Sequence, residues 1–347
     1  MTPETRHLID TVQHNCHISD ARYAGNYTLC VYLLKMREFY RWEKAHSFGA
    51  ELSSDDIGQW LTQREALWES LEQEDYAPIA VSEQQFDPFE SDAINAELLQ
   101  QGLVYSGGIG VKSKPHFFIG ELEREQRING YHILVSAREF ARDLTSPPAM
   151  SQGNTIFMRR ESFKRMIWER TEEWRWNKPD NAMARAIACY DFDSDVEAAL
   201  NAMTDNELEA AILHEIGEIR AGENLPGWSD MMQHITFTQA EIMARACRDH
   251  LADMLSTLPA LLQQNNTASI HFYFANLTSM RKLIFPMLEQ AYQTWLQTGD
   301  TAAIHRAVEL GQPHWQNLSR EMLALAAHSD SESLSTAIES LVKQNTL

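Results

Sequence analysis

The chain has 347 residues, 44% of them hydrophobic and 22% charged, with nine Trp, ten Tyr and fourteen Phe; that is enough apolar and aromatic material for a real core and excludes a disordered chain. Against 49 Asp and Glu stand only 29 Lys and Arg, a formal net charge of −20 that repels phosphate backbones and argues against a nucleic-acid partner. The four cysteines are scattered without a Cys-x-x-Cys pair, which excludes a zinc ribbon or a thioredoxin-like centre.

Residues 1–76 read as helical. "YTLCVYLLKMREFYRWEK" (27–44) is a helix with apolar residues around much of its circumference. A second follows over 52–74, with Ser53 or Ser54 as its cap and aspartates in its first turn. Residues 76–92 form a connection, and 93–103 a short helix. The pattern then changes. Segment 103–137 holds the densest glycine cluster and apolar runs of strand length, which predicts two to four short antiparallel strands. "INGY" (128–131) is an Asn-Gly turn signal. "TSPPAMSQGN" (145–154) reads as a loop.

From 155 onward the chain is helical again. A first helix runs to residue 176, and a break falls near Asp191–Asp195. "TDNE" (204–207) and "TQAE" (238–241) are capping boxes that predict helix starts at Thr204 and Thr238. Further helices reach residue 327, and 331–347 is a Ser- and Glu-rich stretch expected to fray. The expected fold class is mainly α, a helical bundle-like core with a small antiparallel β insertion at 103–137. The expected organisation is one helical domain over 1–330 with a flexible tail over 331–347; the alternative is two subdomains, 1–150 and 151–347.

The chemistry concentrates in "AILHEIGEIRAGE" (211–223). At 100° per residue, with His214 at 0°, Glu218 falls at about 40° and Glu215 at about 100°. Leu208, Ile212, Ile216 and Ile219 lie beyond, at roughly 120–200°. The polar arc therefore adjoins the buried stripe. Ala211, Ala221 and Gly222 share it and leave space beside the polar groups. Gly217 costs the helix roughly 1 kcal/mol against alanine, a cost that often marks close approach by another element. His-x-x-x-Glu presents a ring nitrogen and a carboxylate to one metal ion, with Glu215 in the place of a general base. The HExxE stretch resembles the active-site helix of the zincin peptidases over about eight residues. Its second histidine is replaced by Glu218, which shifts the preference toward iron, manganese or zinc in a carboxylate-rich site.

Three other helices carry a polar residue where a core prefers leucine. His250 sits amid Met243, Cys247, Met254 and Leu251 with Asp253 at the stripe's edge. It reads either as a metal ligand oriented by Asp253 or as a core histidine bonded to a carbonyl or to Asp253. Glu38 shares a face with Tyr27, Val31, Leu34 and Trp42, and is either a ligand or the ion-pair partner of Arg37, Arg41 or Lys35. In "HNCHISD" (14–20), His17 and Asp20 form the favoured pair, with His14 in reserve. Helical bundles build metal sites from such facing side chains. None of the candidate histidines His17, His214 and His250 has a glutamate three residues before it, so likeness to di-iron bundles is architectural analogy only.

These residues lead to one expectation: a cytosolic enzyme that uses a divalent metal ion (iron, manganese or zinc) on a small-molecule substrate, hydrolytically or oxidatively. His17, Glu38, His214, Glu218 and His250 are its candidate ligands, Glu215 its base, and Asp20 and Asp253 the carboxylates behind the ligands. The polar start "MTPETRHLID" does not read as a signal peptide, and no apolar run reaches the ~18 residues of a membrane span. The alternative is a non-catalytic acidic scaffold that binds a partner.

Overall fold

The structure is a computed structural model and describes residues 2–110, 113–236, 238–328 and 330–347. The chain divides into two compact units, one ending at Glu169 and the other running from Arg170 to Leu347.

The first unit opens with helix α1 (Pro3–Tyr23), capped by the Thr2 side chain and started by a proline whose missing N–H costs nothing there. Leu8, Val12 and Cys16 form its apolar stripe at i, i+4, i+8. The stripe is buried in a core that includes Ile94, Leu98, Tyr105, Phe117, Ile119 and Ala141. Helices α2 (Leu29–Glu43) and α3 (Ser54–Leu71) gather Met36, Phe39, Tyr40, Trp60 and Trp68 into a second cluster. A short hairpin, β1 (Ile79–Val81) and β2 (Gln84–Phe86), leads into α4 (Ser91–Leu98).

A five-stranded sheet follows, formed by β3 (Leu103–Ile109), β4 (Pro115–Ile128), β5 (Tyr131–Arg142), β6 (Ala149–Gln152) and β7 (Thr155–Arg159) in the order β3-β4-β5-β7-β6. It curls into a half-barrel. The Asn129–Gly130 turn joins β4 to β5 with both residues at positive φ, as a two-residue hairpin loop requires. β7 pairs parallel with β5 and antiparallel with β6.

This sheet corrects the expected fold class. The β region is not a small antiparallel insertion in a helical bundle. It is a mixed sheet that extends to residue 159 and organises its unit. The reason lies in "TIFMR". As an inner strand β7 buries Ile156, Phe157 and Met158 together, so the alternation that betrays a half-exposed strand is absent. The run then reads as the first turn of the helix behind it, α5 (Arg160–Asn177).

In the second unit the described elements are helical. After α6 (Ala182–Ile187), α7 (Val196–Asn224) runs unbroken for 29 residues, with Asp195 accepting from the Glu197 and Ala198 N–H groups. The expected start at Thr204 does not occur. Thr204 is inside α7 and donates back to the Leu200 carbonyl at 2.7 Å. Glu207, expected to close the capping box, is instead 1% exposed. It accepts from Tyr190 and Asn206 at 3.1 and 3.0 Å through Oε1, and its Oε2 has no partner. Burial pushes its carboxyl up to about 7. The unfolded chain therefore ionises first, and stability falls as pH rises from 4.5 through 7. Glu207→Gln should remove a loss of about 2 kcal/mol between pH 5 and 7. Urea denaturation at the two pH values reads it, and parallel pH profiles for variant and wild type would refute the assignment.

Helices α8 (Trp228–His234) and α9 (Gln239–Ala252) follow, α9 capped as expected by Thr238. A π-helical turn, Asp253–Thr257, joins α9 to α10 (Leu258–Gln264). Pro259 cannot donate to the Leu255 carbonyl, which accepts from Arg220 at 3.1 Å instead. Then come α11 (Thr267–Asn276), α12 (Ser279–Ile284), α13 (Pro286–Thr298) and α14 (Ala302–Ala326). The segment expected to fray is α15 (Ser331–Gln344), capped by Asp330. Its Leu334, Ile338 and Val342 are buried in the same core as Met243, Cys247 and Trp315. α9 packs against α7, α12, α14 and α15, so whatever it carries is held from several sides.

Candidate functional site

The π-helical turn carries the best-formed polar centre of the second unit. Such turns widen the helix and recur at functional sites. Asp253, 1% exposed, opens the turn. Its Oδ1 accepts from His214 Nδ1 at 2.8 Å and from Thr257 Oγ1 at 2.9 Å. Its Oδ2 accepts from Arg281 on α12. The same guanidinium donates to the Tyr273 hydroxyl at 3.1 Å. Burial alone would raise the Asp253 carboxyl. The Arg281 and His214 cations outweigh it and hold the group well below the usual carboxylate range.

His214 is pushed the other way. Burial disfavours its cation, but Asp253, and behind it Glu218 and Glu215, raise its pKa to about 10. With Nδ1 bound to Asp253, Nε2 makes no hydrogen bond among the described residues, and the side chain is 33% exposed. At neutral pH it is a positioned imidazolium with a free N–H. Around it the carboxyls of Glu215 and Asp249 are raised, each mainly by burial, Asp249 to about 6. Glu218 pairs with Arg248 at 2.9 Å, yet its Oε1 is buried without a partner.

Gly217 explains how α7 comes so close. A Cβ there would lie 2.3 Å from the Ala252 carbonyl oxygen. The two backbones touch one residue before Asp253, which brings His214 within reach of the carboxylate.

The structure brings together His214, Glu215, Glu218 and Asp253. His250 lies in the last turn of α9, three residues before Asp253, but faces the core. Its Nε2 donates to the Arg281 carbonyl at 3.0 Å and its ring stacks on Trp315 at 5.1 Å. Burial, then Arg281, lower it to about 3, so it is neutral. His17 and Glu38 belong to the first unit. His17 meets Arg64 at 2.7 Å and the Trp68 N–H at 3.3 Å, and burial with Arg64 lowers it to about 3. Glu38 accepts from Arg41 at 3.1 Å. Asp20 pairs with Lys114 at 2.9 Å and accepts the Leu144 N–H at 2.8 Å. Among the described residues no group of three or more His, Cys, Asp or Glu is disposed to hold a metal ion.

A second polar centre lies in the first unit, and of its residues only Asp20 is among the candidates read from the sequence. Where β5 ends, Asp143 accepts from His116 Nδ1 at 2.8 Å and from the Ser146 N–H at 2.7 Å. Lys114 reaches Thr145 Oγ1 at 3.0 Å as well as Asp20. Glu139 takes both Nε and Nη2 of Arg159, at 3.0 and 2.7 Å. Ser146, buried at φ +45°, sits in a backbone region that side chains pay to occupy. The only signal was charge inside strand-like runs: Glu139 and Arg142 after "HILVSA", and Arg159 after "TIFM".

Among the described residues no helix is long and apolar enough to cross a membrane. Neither the curated proteins nor the solved structures contain a match to this chain. Two family models do match. The N-terminal domain of a family of unknown function, DUF6866, covers residues 7–159, and its C-terminal domain covers residues 164–345. The chain belongs to the DUF6866 family of unknown function and carries both of its domains.

Proposed function

We propose that the protein is an enzyme whose proton-transfer site is the His214 centre, acting hydrolytically on a small polar substrate. One observation carries this reading: a buried carboxylate, locked by Arg281, holds Nδ1 of a partly exposed histidine and leaves Nε2 free. A histidine fixed through one nitrogen and open at the other is how proton transfer is positioned. His214, protonated at neutral pH, serves as general acid. Glu215, whose raised carboxyl brings its proton affinity closer to neutrality, serves as general base toward water. Asp253 touches no substrate and positions His214.

A second reading is favoured by the partnerless Glu218 Oε1. It adds a divalent metal ion, iron, manganese or zinc, on His214 and Glu218. One preparation tests both. Full-length protein purified without chelator or affinity metal is analysed for metals, then incubated with a metabolite extract and chromogenic esters, phosphates and glycosides. The expected result is turnover by wild type that a folded His214→Gln variant loses. Turnover unchanged in that variant, or none by wild type, would overturn the enzymatic reading. Near-stoichiometric metal that the His214→Ala/Glu218→Ala variant loses supports the second reading, and metal-free protein with full turnover removes it.

A further inference from the structure

In the first unit three arginines converge on the same few atoms. Arg159 donates to Glu139 and, through Nη2, to Ser146 Oγ at 2.9 Å. Arg165 donates through Nη2 to the Ser146 carbonyl at 3.1 Å. Arg142 lies with Nη1 3.8 Å from Glu139 Oε2 and donates to the Glu38 carbonyl at 3.3 Å. All three are buried, Arg159 completely. Each also keeps a buried N–H without an acceptor: Arg142 Nε, Arg159 Nη1 and Arg165 Nε. The nearest carboxylate to Arg165 Nε, Glu169, is 3.7 Å away, too far for a hydrogen bond.

Buried N–H groups are nearly always paired, and an unpaired one on a cation costs more than one on an amide. One such group is a local defect. Three on three guanidinium groups around one serine and one glutamate point to a missing acceptor. The charge agrees. Glu139 is fully engaged by Arg159, by the Ser162 N–H at 3.2 Å and by the Ser162 hydroxyl at 2.5 Å. Glu161 accepts the Glu139 N–H at 2.7 Å, and burial together with Glu139 raises its carboxyl. Positive charge is left crowded: burial, then Arg165, lower the Arg142 guanidinium to about 9, and the same two lower Lys35. Water would satisfy the N–H groups but would not relieve this crowding of cations. An anion answers both. The arginine planes are already set, Arg142 over Trp42 at 4.6 Å and Arg159 over Phe118 at 4.5 Å, so binding orders little that is not ordered. Planar guanidinium forks match the oxygens of phosphate.

We propose that Arg142, Arg159 and Arg165 form a binding site for a tetrahedral oxyanion, a free phosphate or the phosphate group of a small organic molecule. Glu139 and Ser146, the latter in its left-handed conformation, hold the arginines in place.

The test uses full-length protein, with inorganic phosphate, glycerol phosphate and chloride as probes at matched ionic strength. Thermal shift and calorimetry are the readouts. The expected result is saturable stabilisation by phosphate that chloride does not give, weakened at least about tenfold in Arg165→Gln. Arg165 lies at the edge of the cluster and has one backbone contact, so this variant keeps the fold where Arg159→Gln would not. Binding of glycerol phosphate as well as phosphate assigns the site to an organic phosphate; binding of phosphate alone assigns it to the free ion. No saturable effect beyond chloride, or an equal effect in Arg165→Gln, overturns the proposal.

Discussion

Asp253→Ala should destabilise the second unit by about 3–5 kcal/mol, because it removes one partner of a buried pair and strands the other. Arg281 is 8% exposed and would keep the Tyr273 hydroxyl as acceptor but lose the carboxylate bonded to it. Thr257 would lose its acceptor too. Chemical denaturation followed by the change in midpoint reads the effect. Asp253→Asn separates charge from shape: it fills the same space and still accepts from Thr257. In wild type the folded pKa of His214 is raised from 6.5 to about 10. That contribution to stability is fully present below pH 6.5 and is lost as pH rises through 10. In Asp253→Asn the decline over this window should shrink, and the imidazole resonance of His214 should titrate closer to its ordinary range. An unchanged His214 titration in the folded Asn variant would show that Asp253 does not govern this histidine.

Much of the second unit's site was legible. The arc of His214, Glu218 and Glu215 beside the apolar stripe follows from residue spacing alone, and so does the place of His250 within the core-facing side of α9. Thr238 capped its helix because the Thr-x-x-Glu pattern stood where a new helix starts after α8 has ended. Thr204 and Glu207 carried the same local pattern inside a helix already started at Asp195, where Leu200 and Tyr190 offered other partners. A capping box is a local signal, and the longer helix won. The partners of the polar groups were not legible. Arg281 reaches Asp253 across 28 residues, and Lys114 reaches Asp20 across 94. Nothing in local spacing selects one arginine among many. The sheet failed for a related reason: β7 lies between β5 and β6, and its pairing with β5 is parallel and non-adjacent in sequence. An inner strand buried on both faces leaves no period-two trace.

Gly217→Val should cost about 3 kcal/mol or more, and it joins the fold to the site. A Cβ at 217 would stand 2.3 Å from the Ala252 oxygen, 2.8 Å from its carbonyl carbon and 3.1 Å from its Cα. All three are backbone atoms, so no side chain can swing away; α7 and α9 must part by roughly 1 Å to restore ordinary contact. Gly217→Ala meets the same first contact with a smaller side chain. It recovers about 1 kcal/mol of helix propensity, so its net cost should be nearer 2 kcal/mol. The separation opens beside Ala252, the residue before Asp253, and so lengthens the His214–Asp253 bond that is 2.8 Å in wild type. Both variants should therefore lower the His214 pKa from about 10 toward its ordinary value, although neither touches an ionisable group. A Gly217→Ala protein that loses stability while His214 still titrates near 10 would mean that the close helix contact serves packing alone. A lowered pKa in step with the lost stability would mean that the glycine sets the geometry of the site.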